Sequence, residues 1–243
     1  MSKLRLKVSN ITKSYNSKIV LNNCSFTFEA GKVFSIIGPN GSGKSTFLRI
    51  CALIESPDRG KVVYDDESKT FDNSIELRRR ITLVFPKGGI FNTSVYKNVA
   101  YGLKLRGFGK EEIEAIVEET LKEVGIWDKR NQNALSLSTG EAQRLVLARA
   151  IAIKPEIMFL DEPTVSLDPR SVAIIEELIK TIGRKYRPTI IMVTHNMFQA
   201  QRLADRVFFL LDGMIIEDAP PQEFFENPKD ERTWRFINGD MIY

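Results

Sequence analysis

The stretch Gly38-Pro39-Asn40-Gly41-Ser42-Gly43-Lys44-Ser45-Thr46 constrains this chain more than any other. A glycine, four residues, then Gly-Lys-Ser/Thr is the spacing of a loop that wraps phosphate in main-chain amides. Glycines let the backbone turn tightly and approach an anion closely. A helix that starts where the loop ends adds unpaired N–H groups and the positive end of its dipole. Lys44 then reaches the terminal phosphates of a nucleotide, and the Ser45 hydroxyl is placed to ligate Mg²⁺. The flanks fit. Val33-Phe34-Ser35-Ile36-Ile37 is short and apolar, as a buried strand should be, and Phe47 to Ile54 reads as a helix.

With 243 residues the chain has room for one large α/β domain or two small ones. Lys and Arg total 35 against 31 Asp and Glu, a mild excess of +4. No dense basic tract supplies a nucleic-acid footprint, so no nucleic-acid partner is expected. Arg78-Arg79-Arg80 reads as a solvated helix end. Cys24 and Cys51 form no CxxC pair, which suits a reduced cytosolic setting. Met1 to Arg5 leads into alternating residues, so no secretory signal is expected. The longest apolar runs are strand-sized, too short to span a bilayer. Any membrane role must come through a partner.

Residues 3–9 alternate, with Leu4, Leu6 and Val8 on one side, and predict a half-buried strand; Ile19 to Phe28 predicts another. Tyr15 lies between them, an aromatic able to stack on a purine or simply to pack. Pro57 to Gly60 reads as a turn and Lys61 to Tyr64 as a strand. Ile75 to Arg80 reads as a short helix, and Ile81 to Phe85 as a buried strand broken by Pro86-Lys87-Gly88-Gly89. From Thr93 to about Lys154 the pattern is helical, an insertion into the α/β core. Ser138, three residues before Glu141, spells a capping box. Ile157 to Leu160 predicts a buried strand ending in Asp161-Glu162. Carboxylates at a strand's carboxyl end stand where α/β sheets bind ligands. Asp161 suits a Mg²⁺-linked role and Glu162 a base that activates water. Ser171 to Gly183 is helical, Thr189 to Thr194 is a strand, and His195 follows it, the sole histidine. Asn196 to Ala204 reads as a helix, then Val207 to Glu217 as a hairpin around Asp212-Gly213. Strands alternating with helices predict a mostly parallel sheet.

These pieces, in this order, resemble the ATP-binding subunit of an ABC transporter, and the resemblance covers nearly the whole chain. The phosphate loop matches Gly38 to Thr46, and the family's signature matches Leu137-Ser138-Thr139-Gly140-Glu141. The second carboxylate motif matches Ile157 to Glu162, the loop after it Ser166-Leu167-Asp168, and the histidine switch His195. Tyr15 lies where the family's adenine-stacking aromatic lies. The resemblance implies an α/β phosphate-loop ATPase with a mostly parallel sheet, an N-terminal antiparallel β subdomain and an inserted helical subdomain. The implied boundaries are a core of residues 1–86 and 155–219, helices over 87–154 and a tail of 220–243. It also implies two copies meeting head to tail around two ATP with Mg²⁺. Ser138, Thr139, Gly140 and Glu141 then act in trans, Glu162 and His195 serve hydrolysis, and Ser45 and Asp161 serve the metal. The implied partner is a transmembrane permease, reached near Lys87 to Asn92 from the cytoplasmic face of the membrane. An extracytoplasmic oxyanion-binding protein would act indirectly.

Val95 to Gly107 and Asn196 to Asp205 are similar to tungstate-importer ATPases. The tail from Phe225 to Gly239 resembles tungstate and phosphate importers alike. The expectation is therefore an oxyanion importer, tungstate first. Phosphate or another oxyanion, a nucleotide-gated clamp with weak hydrolysis, and a non-transport ATPase of the same family are the alternatives. Two positions depart from the family. Pro86 stands where Gln is usual, and proline brings neither a side-chain amide nor a backbone N–H. Thr139 replaces the signature's first glycine and adds bulk where a partner's phosphate approaches.

Overall fold

The computed structural model describes residues 3–66, 68–86 and 88–241. Strands β1 (Arg5–Tyr15) and β2 (Lys18–Phe28) form an antiparallel hairpin. Strand β3 (Val33–Ile37) runs through the phosphate loop into α1 (Lys44–Cys51). Then β4 (Arg59–Asp65) and β5 (Thr70–Phe71) extend the first sheet, and α2 (Ile75–Arg78) leads to β6 (Ile81–Val84). Next come α3 (Val95–Leu105), α4 (Lys110–Glu123) and α5 (Thr139–Ala152), with short 3-10 turns between the last two. The chain continues through β7 (Ile157–Asp161), α6 (Pro169–Lys185), β8 (Thr189–Val193), α7 (Met197–Leu203) and β9 (Arg206–Leu211). It ends with β10 (Met214–Ala219), α8 (Pro221–Glu226) and α9 (Glu231–Asn238).

The first sheet is antiparallel, ordered β2-β1-β4-β5; the second is ordered β10-β9-β3-β8-β7-β6. All neighbours in the second pair in parallel except the β9–β10 hairpin. Central strand β3 has parallel partners on both sides, so the loops after β3, β7 and β8 leave from one edge. Register makes this tight. Ile36 pairs with Val193, and Val193 pairs with Asp161.

The central strands β3, β7 and β8 are buried and mostly apolar on both faces, as strands covered on both sides must be. Ile157, Phe159, Ile191 and Val193 join one buried cluster, with α1 and the first sheet. Met158, Leu160, Ile190 and Met192 join another, with α3 to α6. Alternation with period two sorts them. Helix α5 buries Leu145, Val146, Leu147, Ala148, Ala150 and Ile151, so it is apolar nearly all round and lies inside the second layer. The two sheets meet at phenylalanines. Phe26 lies 4.2 Å from Phe208 and Phe28 5.1 Å from Phe34, both edge-to-face, the arrangement the ring quadrupoles favour.

Three local expectations need correction. Strand β1 does not stop at residue 9 but continues to Tyr15. Its alternation breaks because register shifts separate Val8, Ile11 and Lys13, and Asn10 adopts a φ of 55°. A bulge keeps pairing while disturbing the period. Arg59 and Gly60 belong to β4 and not to a turn. Arg80 is not a free solvated side chain but a half-buried, paired one. Its Nε and Nη2 donate to Glu156 at 2.5 and 2.9 Å, and its guanidinium lies 4.5 Å from the Phe71 ring centre.

Candidate nucleotide site

The phosphate loop keeps its path only because two residues lack a Cβ. At Gly38, with φ 152°, an added Cβ would lie 2.1 Å from the Leu210 carbonyl oxygen. At Gly43, with φ 102°, it would lie 2.6 Å from the Val20 carbonyl oxygen. Gly43 is the N-cap of α1, so no side chain caps that helix, and no acidic residue occupies its first turn. Its leading N–H groups are left for an external acceptor. Pro39, Asn40 and Gly41 form the loop's outer turn, where Ser42 N–H donates to the Pro39 carbonyl at 3.3 Å. Ser42 Oγ is buried with no hydrogen-bond partner.

Lys44 is 6% exposed, and its ammonium donates to the Gly38 and Pro39 carbonyls at 2.9 and 2.7 Å. Burial draws its pKa down, while the charges of Glu162 and Asp161 draw it back up. Ser45 Oγ donates to Asp161 Oδ1 at 2.9 Å. Burial raises the Asp161 pKa, the Ser45 bond opposes that, and neighbouring Glu162 adds to it. Glu162 N–H bonds the Val193 carbonyl at 3.0 Å. Its φ of 46° is a left-handed conformation that a residue with a Cβ keeps only under constraint. Its Oε2 lies 3.2 Å from His195 Nδ1 on the neighbouring loop. The sheet thus brings Lys44, Ser45, Asp161, Glu162 and His195 together.

Tyr15 stands beside α1, 40% exposed, with its hydroxyl bonded to Glu55 and in reach of Thr46 in that helix's first turn. Lys13 Nζ is 5.5 Å from its ring centre, and burial raises its pKa, with the Glu55 bond next in effect. Arg49 joins this group to the loop by donating to Thr46 Oγ1 at 3.4 Å.

The Ser138–Glu141 stretch stands apart. Ser138 Oγ accepts from Glu141 N–H at 3.4 Å, and Glu141 Oε2 accepts from Ser138 N–H at 3.0 Å, so both halves of the capping box form. Lys129 pairs with Glu141 and, with the Ser138 N–H, holds its carboxyl down at about 2. Thr139 is exposed, and a Cβ on Gly140 would meet Ser171 Oγ at 2.4 Å. Among the described residues, no hydrogen bond joins this stretch to the phosphate loop.

The residues are suited to a hard cation only in part. No group of three or more His, Cys, Asp or Glu that could hold a metal occurs among the described residues. Ser45 and Asp161 supply two oxygen sites, which fits Mg²⁺, an ion that completes its shell with substrate phosphates and water.

A groove opens on another side, between β6, α3 and α5. Phe85, Tyr101 and Leu105 expose 42%, 48% and 64% of their surface on its walls. The loop crossing it is pinned by Asn98, 1% exposed, which bonds the main chain of Phe91 at 2.9 and 3.1 Å and the Ser94 carbonyl at 3.0 Å. Lys87, at the start of the expected permease contact, lies outside the described residues. Sequence reasoning missed Asn98, and it missed Thr164 and Gln199, whose Oγ1 and Nε2 are 3.0 Å apart. A polar residue on the inward side of an apolar helix was the available signal for both amides.

Known proteins resemble this chain along most of its length. The family profile described as ABC transporter matches residues 21–165. The tungstate uptake system ATP-binding protein TupC of Peptoclostridium acidaminophilum is 45% identical over 214 residues, covering 88% of this chain and 98% of that protein. The phosphate import ATP-binding protein PstB 2 of Natronomonas pharaonis is 39% identical over 250 residues, covering 98% and 88%. Among solved structures, cbiO1 from Clostridium perfringens, part of the ABC transporter complex cbiONQ, matches with TM-score 0.83 and 29% identity over 99% of this chain and 97% of that one. A dimeric ATP-binding cassette in a post-hydrolysis state with ADP and Pi matches with TM-score 0.79 and 29% identity, over 89% and 98%.

Proposed function

This chain belongs to the ABC transporter ATP-binding family, and from that premise we propose that it powers import of an oxyanion, tungstate first, through a permease. It is an ATP-hydrolysing subunit of an ABC importer. One observation carries the assignment of roles. Parallel register sets Lys44, Asp161, Glu162 and His195 around a helix start that has no cap of its own.

In this reading the loop amides and Lys44 hold the β- and γ-phosphates of ATP, and Tyr15 stacks on adenine. Ser45 and Asp161 hold Mg²⁺, which neutralises phosphate charge when bound. Glu162 orients a water and accepts its proton as that water attacks the γ-phosphorus; the bond to the β-phosphate oxygen breaks, leaving ADP and phosphate. His195, beside Glu162 and exposed, senses the γ-phosphate. Ser138 and Gly140 of a second copy close the pocket, so ATP binding brings two copies together head to tail and product release parts them. The permease sits on the groove of Phe85, Tyr101 and Leu105, at the cytoplasmic face of the membrane. In support of peripheral attachment through a partner, no helix among the described residues is long and apolar enough to cross a membrane.

The TupC relative supports tungstate. Phosphate is the second reading, favoured by the PstB 2 likeness, which runs over 98% of the chain. Reconstitution with the permease and its anion-binding protein decides. Phosphate release stimulated by tungstate-loaded but not phosphate-loaded binding protein supports the first reading. The reverse supports the second, and stimulation by neither removes oxyanion import.

A further inference from the structure

Glu162 and His195 sit on different loops, and two links join those loops. The outer link is their own contact at 3.2 Å, with the histidine side chain 59% exposed. Pairs this open to water hold little, because solvent screens them and both side chains stay mobile. The inner link is Gln199 Nε2 donating to Thr164 Oγ1 at 3.0 Å, with Gln199 fully buried at 0% exposure. Thr164 lies two residues after Glu162, and Gln199 lies four after His195. The two loops and two links therefore close a ring.

Each arm of the ring is stiff. On the histidine side, Asn196 N–H donates to Thr194 Oγ1 at 3.1 Å, and Asn196 Oδ1 accepts from Gln199 N–H at 3.0 Å. On the carboxylate side, Val165 N–H returns to the Glu162 carbonyl at 3.1 Å. The amide of Gln199 also faces Glu176 Oε1 at 3.4 Å. Arg202 holds Glu176 through two bonds of 3.0 and 2.7 Å, so the buried carboxylate is paired. Packing alone does not explain an amide buried alongside Ala200 and Leu203. An apolar residue would fill the space without needing partners, whereas a buried amide costs free energy unless bonded. Its partners lie on the loop after β7 and on α6, so it ties both to α7.

We infer that the Gln199–Thr164 bond is a strut that sets the spacing of Glu162 and His195, making Gln199 and Thr164 positioning residues for hydrolysis. The inference rests on the reading of Glu162 as the base. Among the described residues neither Thr164 nor Gln199 hydrogen-bonds the phosphate loop, so loss of the strut should act on turnover and spare binding.

Thr164→Val keeps the shape and removes the hydroxyl; Thr164→Ser keeps the hydroxyl. Misplacement of catalytic groups by a fraction of an ångström to one ångström predicts a kcat for Thr164→Val about tenfold to a hundredfold below wild type. KM for ATP should stay unchanged, and Thr164→Ser should restore kcat. Gln199→Leu, if it folds, should match Thr164→Val. A Thr164→Val protein with wild-type kcat, even if its Tm falls, overturns the strut, as does an equal loss in Thr164→Ser. Glu162→Gln separates the two layers. It should bind ATP, stop hydrolysing and accumulate as an ATP-bound dimer by size-exclusion chromatography. Normal hydrolysis there overturns the base assignment on which the strut rests. An inactive Glu162→Gln beside a fully active Thr164→Val overturns the strut alone.

Discussion

Helices α1 and α5 both start where a phosphate is expected, yet their first turns are built in opposite ways. Helix α1 has a glycine N-cap, no capping side chain and no acid in its first turn. Helix α5 caps itself twice, through Ser138 and Glu141, and places a carboxylate there. A phosphate meets open donors at α1. At α5 it meets two donors already served, the N–H groups of Ser138 and Glu141, and a carboxylate already paired with Lys129. The first helix start is fit to hold a nucleotide unaided; the second is fit to add a contact once another surface has delivered one.

The sharpest way to break this comparison is Lys44→Ala. Truncating one partner of a buried charge pair costs roughly 2–5 kcal/mol or more, so ATP affinity should fall by about thirtyfold or further. Titration calorimetry showing unchanged affinity would place the nucleotide elsewhere. Pro86→Gln comes next. It restores an amide beside the site and should raise steady-state phosphate release, with ATP affinity unaltered. No change would mean that water or another group serves in its place. Ser138→Ala should cost about 1 kcal/mol of stability as a lost N-cap. The isolated chain should still bind ATP as tightly, while hydrolysis by the dimer falls. Weaker ATP binding by the monomer would erase the distinction between the two helices. The smallest effect belongs to Glu141. Its carboxyl is lowered from 4.5 to about 2, so its contribution is full above about 4.5 and lost as pH falls through about 2. The Tm gap between wild type and Glu141→Gln should therefore narrow across that window, and a constant gap would show that the charge is not what stabilises.

What the sequence made legible was local. The phosphate loop, the strand and helix around it, and the Ser138 capping box each lie within a few residues, so spacing alone reveals them. Asp161-Glu162 and His195 were placed by their position just after apolar strands. What stayed hidden depends on distant partners. Arg80 reads as one of three surface arginines until Glu156, 76 positions later, is seen to hold it. Gln199 reads as one more polar residue on a short helix until Thr164 and Glu176 are beside it. The first strand was cut short because a bulge interrupts the period without ending the pairing.

The parallel alignment of Ile36, Val193 and Asp161 makes the sheet a ruler with a two-residue grating. Deleting one residue inside β7 would swing Asp161 to the opposite face and carry Ser45's partner away. An added residue is far better tolerated at an exposed bend such as Gly107 to Gly109 than inside the strands that aim the chemistry.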